Sequence, residues 1–415
     1  MNATLFKNVH VLDVRAGQLL EDHQVLVEGD AIRELSDRPI TATTARVIDG
    51  GGRTLMPGLI DCHVHVTFSQ TNLGLLAQTP QTTLALRALP ILRGMLRRGF
   101  TTVRDAGGAD WALKQAIDDG IDGSVTGPRL FVSGPALSPT GGHGDFRPRS
   151  DRLQPIGCGC QRLASTRVVD GVDAVRGAVR ELLQMGADQI KIMSSGGVAS
   201  PTDPVNALGY SLEETRAIVD EAAARHTYVL AHAYTPEAIR RAVECGVRSI
   251  EHGNLIDAPT AALMAERGAF AVPTLITYEA LARDGARLGL GAESVAKIEQ
   301  VRAAGLKSLE ILKTAGVRMA YGTDLLGASH GLQSEEFLIR AQVQSNLEVL
   351  QSATLIGAEL LNQVGVIGEI AAGARADLLL VDGNPLTDLA CLTGQGERIP
   401  LVMQGGKLRV NELRA

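Results

Sequence analysis

Between residues 58 and 365 the sequence keeps changing its hydrophobic period, and that alternation restricts the fold more than any other feature. Short β-like runs recur: "LIDCHVHV", "TTVRD", "RLFVS", "QIKIM", "YVLAHA", "SIEHG", "FAVPT" and "RMAYGTD". Helical patterns separate most of them, among them "GVDAVRGAVRELLQMGA", "SLEETRAIVDEAAARH" and "TPEAIRRAVECGV". In "AVRGAVRELLQM" the apolar residues return at spacings of three and four, the period of a one-faced helix. Eight strands alternating with helices over about 300 residues predict an α/β fold, a (β/α)8 TIM barrel. The competing arrangement is an open, doubly wound sheet. That fold carries a Gly-rich phosphate turn after its first strand, and here His63 and His65 stand in that place.

The two ends of the chain read differently. "TLFKNVHVLD", "QVLVEGDAIRELSD" and "ARVIDGGGRTLMPG" alternate apolar and polar residues and break at "EGD" and "DGGG", which predicts hairpins. The closing "GEIAAGARADLLLVDGNPL" and "IPLVMQGGKLRVNE" do the same, with "QGG" as a tight turn between two strands. The expected organisation is a small composite β-sandwich domain built from residues 1–57 and 366–415, beside a barrel of residues 58–365. The stretch "GGHGDFRPRSDRLQPIGCGC" is a long polar loop, a length that is uncommon without a function.

Composition excludes several classes. Aromatic residues make up only 3% of the 415, so Ala, Gly, Leu and Val must build the interior. A net charge of −6 argues against nucleic acid as the main partner, since phosphate binding needs a basic surface. Five scattered cysteines do not form a disulfide framework. Cys158 and Cys160 lack the second pair that a zinc site of cysteines requires, so a metal role for them is disfavoured. The N-terminus shows no signal-peptide pattern and no apolar run reaches the length of a membrane span. A reducing cytoplasm is the expected compartment, with no membrane partner.

In a barrel of this kind active residues sit at the C-terminal ends of the strands. The first run ends in His63 and His65, which share one face because residues i and i+2 of a strand do. The fourth contributes Lys191, the fifth His232, the sixth His252 and the eighth Asp324. Four of the nine histidines of the chain fall at these positions. Singly, each has an ordinary explanation: a strand-end histidine is usually structural, and Asp324 could cap a turn. A lysine inside an apolar strand is harder to dismiss, because burying its charge costs several kcal/mol. Jointly the set predicts a metal centre. Imidazoles and a carboxylate suit zinc and its neighbours. Four histidines and one aspartate can hold two divalent ions if something bridges them. A lysine made neutral by burial can add carbon dioxide, and the carbamate is an anionic two-oxygen bridge. With Asp324, the carbamate and a bridging hydroxide each at about −1 against the four positive charges of the metals, such a site keeps a net charge of roughly +1 and favours an anionic or carbonyl-bearing substrate.

With these residues in this order, and with the "MPGLIDCHVHV" entry and the "GARADLLLVDGNPL" close, the chain resembles the amidohydrolase superfamily over nearly its whole length. The resemblance implies a (β/α)8 barrel with a flanking β-sandwich and a binuclear centre, zinc being the expected metal. By that resemblance His63 and His65 with Asp324 hold the more buried ion, His232 and His252 hold the other, and a carboxylated Lys191 bridges them. "GFTTVRDAGG", "TGGHGD", "QIKIMSSGGVASPTDP", "LAHAYTPEAIRRAVECGVRSIEHG" and "YGTDLL" look like the prolidase-like dipeptidases and carboxypeptidases of the superfamily. Relatives there cleave the amide joining an acyl group to a C-terminal L-amino acid, in Xaa-Pro or Xaa-Arg dipeptides or in N-aroyl amino acids such as ochratoxin A. The implied partner is a small molecule with a free carboxylate, and the implied assembly a homo-oligomer. His143 and Tyr234 are then substrate contacts, His143 assisting at the scissile carbonyl. Arg104 and Asp105, after the second strand, are expected to form a structural ion pair. For His330, past the eighth strand, a structural role is preferred over a place in the pocket wall.

The expected mechanism is hydrolysis by a metal-activated water, with Asp324 carrying the proton from nucleophile to leaving amine. The alternatives are a cyclic amidase (hydantoinase- or imidazolonepropionase-like), which shares the lysine, a mononuclear deaminase, which lacks it, and a binding protein without metal.

Overall fold

The computed structural model describes residues 3–120, 123–147, 165–199, 203–285 and 292–413. Four strands come first: β1 (Ala3–Asp13), β2 (Gln18–Glu28), β3 (Ala31–Ser36) and β4 (Arg46–Pro57). Ten short strands follow. They are β5 (Leu59–Val64), β6 (Phe100–Asp105), β7 (Arg129–Val132), β8 (Ala136–Ser138) and β9 (Thr166–Val168). Then come β10 (Ile190–Met193), β11 (Val229–Ala233), β12 (Ser249–His252), β13 (Phe270–Val272) and β14 (Arg318–Met319). The chain closes with β15 (Leu378–Val381), β16 (Leu401–Gln404) and β17 (Lys407–Asn411).

Both ends of the chain share one seven-stranded sheet, in the order β17-β16-β15-β4-β1-β2-β3. The joint is the antiparallel pair β4–β15, with Leu378 opposite Pro57 and Leu380 opposite Leu55. The "QGG" turn forms as read. Gly405 and Gly406 take φ of 52° and 71° between β16 and β17. Two left-handed residues match the twist of a two-residue hairpin, which is why glycine stands at both. The apolar face of this sheet packs Phe6, Val9, Val25, Leu55, Leu378 and Leu401 into a core of its own.

The ten middle strands pair in parallel as two sheets, β5-β6-β7 and β14-β13-β12-β11-β10-β8-β9. Backbone hydrogen bonds join the two sheets at both ends. On one side Cys62 N donates to Tyr321 O at 2.7 Å and Asp324 N to His63 O at 2.8 Å. On the other Asp188 N donates to Val132 O at 2.7 Å. The eight runs of the sequence are β5, β6, β7 and β10 to β14. The short β8 and β9 have no counterpart among those runs. Every residue of β5, β6, β10, β11, β12 and β13 is buried, the pattern of parallel strands covered on both faces.

The covering helices follow ordinary rules. Helix Leu212–Ala223 starts with a reciprocal capping box between Ser211 and Glu214. Helix Pro236–Glu244 starts on proline after a Thr235 cap. In helix Val172–Gln184 the buried stripe is Val175, Ala178, Val179 and Leu182. Each buried valine or leucine there contributes about 1.5–3 kcal/mol. No helix among the described residues is long and apolar enough to cross a membrane.

Candidate metal centre

Parallel strands aim their C-terminal ends at one mouth, and there the predicted residues meet. His63 and His65 leave β5 on the same side. Their Nε2 atoms lie 3.5 and 3.2 Å from Asp324 Oδ1. The three side chains offer donor atoms that all fall within 4.8 Å of one another. Two of the residues at this mouth adopt left-handed backbone, His252 with φ 74° and Asp324 with φ 53°. Such strain costs about 1–3 kcal/mol per residue and clusters at functional sites.

The other ring nitrogens are already engaged. His63 Nδ1 bonds Glu251 Oε2 at 2.6 Å, and His65 Nδ1 bonds the carbonyl of Gly107 at 2.8 Å. Each bond fixes the proton on Nδ1 and leaves the Nε2 lone pair for a cation. Glu251 is fully buried and is itself gripped. Arg104 Nη2 donates to both of its oxygens, at 2.8 and 2.9 Å, and Ser249 Oγ donates a further bond. Arg104 therefore does not pair with Asp105 as expected. Neighbouring strand residues face opposite ways. Arg104 turns toward Glu251, whereas Asp105 accepts the backbone N–H groups of Val66, Gly107 and Ala109 at 2.8, 3.0 and 3.1 Å.

His232 and His252 complete the ring of imidazoles. Their centroids lie 4.7 Å apart, and His252 lies 5.0 Å from His63. His232 Nε2 bonds Gly196 O at 3.1 Å, and His252 Nδ1 bonds Thr274 Oγ1 at 2.8 Å. Lys191 is 1% exposed on β10. Burial pulls its ammonium down to about 8, against the attraction of Glu251 and Asp324. Burial likewise holds His63, His232 and His252 well below the usual imidazole range. For His65 burial acts downward too, but its bond to Asp324 overrides it and the net shift is upward. Asp324 shows the converse: burial raises it, and its interactions with His63 and His65 bring it below its ordinary value. Three neutral imidazoles, an ionised carboxylate and a lysine of lowered basicity are a fitting donor set for divalent cations.

The centre opens into a cavity whose other walls are largely apolar, including Phe68, Leu73, Phe146, Leu281 and Leu326. His143 and Tyr234 both line it. The His143 ring stacks on His232 at 4.4 Å, and its Nδ1 lies 3.4 Å from Asp203 Oδ2. Gly197 lies flat against that ring. A Cβ at this position would come within 2.0 Å of His143 Cε1. Tyr234 Oη pairs with Tyr278 Oη at 2.9 Å. His330 is held elsewhere: its Nε2 bonds Phe68 O at 3.1 Å, and it is not among the cavity walls. Cys158 and Cys160 lie outside the described residues.

Sequence reasoning missed Glu251, Thr274 and Tyr278. For Glu251 a signal existed, since an acid inside the four-residue buried strand "SIEH" must have a partner. Glu251→Gln removes the charge opposite both Arg104 and His63. We expect metal affinity to fall roughly 10–100-fold, the usual weight of a group that orients a ligand, as read by competition with a chelating dye. Unchanged affinity would assign Glu251 to packing alone.

A sequence profile described as the Amidohydrolase family matches residues 54–408, and the chain belongs to that family. Among solved structures it is similar to an amidohydrolase at 60% identity and TM-score 0.97, over 100% of both chains. It is also similar to a prolidase complexed with N-methylphosphonate-L-proline, at 57% identity and TM-score 0.95, over 98% of this chain and 99% of that one. Among characterised sequences it is 33% identical to the ochratoxinase of Aspergillus niger over 366 residues, 85% of this chain and 75% of that protein. The chain is a hydrolytic enzyme acting on amide bonds.

Proposed function

We propose that the enzyme cleaves the amide bond between an acyl or aminoacyl group and a C-terminal L-amino acid. It would act as a prolidase-like dipeptidase or carboxypeptidase whose range extends to N-aroyl amino acids. The similarity to a prolidase bound to a proline phosphonate, over nearly the whole chain, carries this reading. In it, His63, His65 and Asp324 hold one divalent cation and His232 and His252 a second, zinc being the expected metal, with a carboxylated Lys191 between them. Bound there, the ions would supply a water whose pKa is lowered to about 7 and a Lewis acid for the carbonyl. The lowered basicity of Lys191 supports its carboxylation, because only a free amine adds carbon dioxide. At pH 7.5 a group titrating at about 8 is roughly one quarter neutral, against about 0.1% for an ordinary lysine.

The side chains then divide the work. Asp324 accepts the proton of the attacking water and delivers it to the leaving amine. Its bonds to the His63 and His65 side and its fixed backbone keep the carboxylate in one place during both transfers. His143 and Tyr234 face the substrate's carbonyl or carboxylate from the cavity wall. The apolar side chains around them exclude water and strengthen those contacts.

The test is a hydrolysis screen of dipeptides and N-acyl amino acids with enzyme stripped by chelator and then reloaded with zinc and bicarbonate. We expect no turnover in the stripped enzyme, recovery at two zinc ions per chain, and faster cleavage of linear amides than of cyclic imides. Preferential ring opening would replace this reading with the cyclic amidase.

A further inference from the structure

A row of rings passes through the candidate metal centre. It runs Phe68, His65, His63, His252, His232 and His143, with successive centroids 4.3, 5.3, 5.0, 4.7 and 4.4 Å apart. The four inner rings are the imidazoles of the centre. Phe68 and His143 close the row at its two ends, and both line the cavity.

The two ends differ in chemistry. Phe68 and Leu326 form one apolar cluster with Leu76 and Leu84, and Leu73 packs against it. Those of them that reach the cavity, Phe68, Leu73 and Leu326, have side chains of carbon alone and offer a substrate no hydrogen bond. The Phe68 ring is also fixed in place. It stacks on His65 within 15° of parallel, and a Cβ at Gly108 would come within 3.0 Å of its Cε1. Val198, Tyr234, Tyr278 and Leu281 belong to a separate cluster. This one carries two hydroxyls. It also adjoins His143, because Val198 follows Gly197, the residue that lies against the His143 ring. The Tyr234 ring meets His232 edge-on at 4.7 Å. Both imidazole and hydroxyl donors therefore stand at the His143 end of the row, and a carbon wall stands at the Phe68 end.

A carboxylate is costly to bury without hydrogen-bond donors, whereas an alkyl or aryl group gains most from carbon walls. An acyl amino acid lying across the centre has its carboxylate on one side of the scissile carbonyl and its acyl group on the other. We propose that Phe68, Leu73 and Leu326 seat the acyl group, and that Leu281 and Val198 seat the side chain of the C-terminal residue, whose carboxylate meets His143 and Tyr234. The proposal rests on the reading of the enzyme as an acyl-amino-acid hydrolase. It makes Phe68 and Leu281 specificity-determining residues for the two halves of the substrate. An aromatic wall at the acyl seat favours aroyl over small acyl groups, since aromatic pairs gain beyond the area they bury.

Four substrates test it with the zinc-loaded enzyme: the N-acetyl and N-benzoyl derivatives of L-alanine and of L-leucine. Their kcat/KM values give two ratios, benzoyl over acetyl and leucine over alanine. Phe68→Leu keeps an apolar side chain and removes the ring. It should lower the benzoyl-to-acetyl ratio roughly two- to tenfold, the weight of an aromatic pair, and leave the leucine-to-alanine ratio as it was. Leu281→Ala should do the converse, lowering the leucine-to-alanine ratio roughly three- to tenfold with the acyl ratio unmoved. Should either variant fail to fold, Leu326→Ala replaces the first and Val198→Ala the second. An exchange of the two effects overturns the assignment, and so does a variant that moves both ratios alike. A loss common to all four substrates, as from a loosened fold, moves neither ratio and overturns it too. No cleavage of any of the four by the unaltered enzyme overturns the underlying reading instead.

Discussion

Asp324→Asn should give a folded, metal-binding enzyme whose kcat is lower by roughly 10²–10⁴, the range of a lost acid–base group. The substitution suits this site for a backbone reason. Asp324 sits at φ 53°, and asparagine tolerates the left-handed region as aspartate does. An alanine there would add strain to the chemical change and blur the result. The amide oxygen keeps its place beside His65, whose Nε2 lies 3.2 Å from Asp324 Oδ1, and can still offer a lone pair to a cation. What asparagine cannot do near pH 7 is take up a proton and release it. The measurement is kcat alongside melting temperature and zinc content. Full kcat with zinc in place would remove Asp324 from the proton path.

Lys191→Met is the second large effect, and it acts in two directions. Activity should fall at least as far as in Asp324→Asn, because the group proposed between the cations is gone. Stability of the metal-free protein should rise. In the folded chain burial brings Lys191 from its ordinary value of 10.5 to about 8. The unfolded state therefore binds this proton more tightly. Below pH 8 both states carry it and the folded state bears the full cost of a buried charge. Between about 8 and 10.5 the folded state sheds the proton first, and stability rises with pH by on the order of 3 kcal/mol. Methionine carries no charge, so the variant should melt above the wild type at pH 7 and lose that advantage by pH 10. Parallel curves in chelator-treated samples would contradict the buried-ammonium account.

Much of this could be read from the residues in order. The eight runs that alternate with helices announce themselves by period, and His63, His65, Lys191, His232, His252 and Asp324 stand where parallel strands must end. The "QGG" hairpin was legible because two left-handed positions demand glycine. Contacts across the barrel were not. Arg104 and Glu251 are 147 residues apart, and nothing local couples them. The expected Arg104–Asp105 pair failed for a reason the sequence did contain, since adjacent residues of a strand face opposite sides. Tyr278 and Thr274 belong to a helix start that looked like ordinary covering structure. Their part in the site depends on where that helix docks.

The pairing of β4 with β15 also has a consequence for how the molecule is made. Met56 and Leu55 lie opposite Leu379 and Leu380, and the strand that bears His63 begins two residues after β4 ends. During synthesis from the N-terminus, β4 finds β1 at once, but its other edge waits for a partner translated more than three hundred codons later. β5 itself finds β6 early, but the strand that leads into it keeps one edge open until the end. A nascent chain interrupted before residue 378 would leave an apolar ribbon beside an unfinished cation site, an evident target for chaperones and proteases.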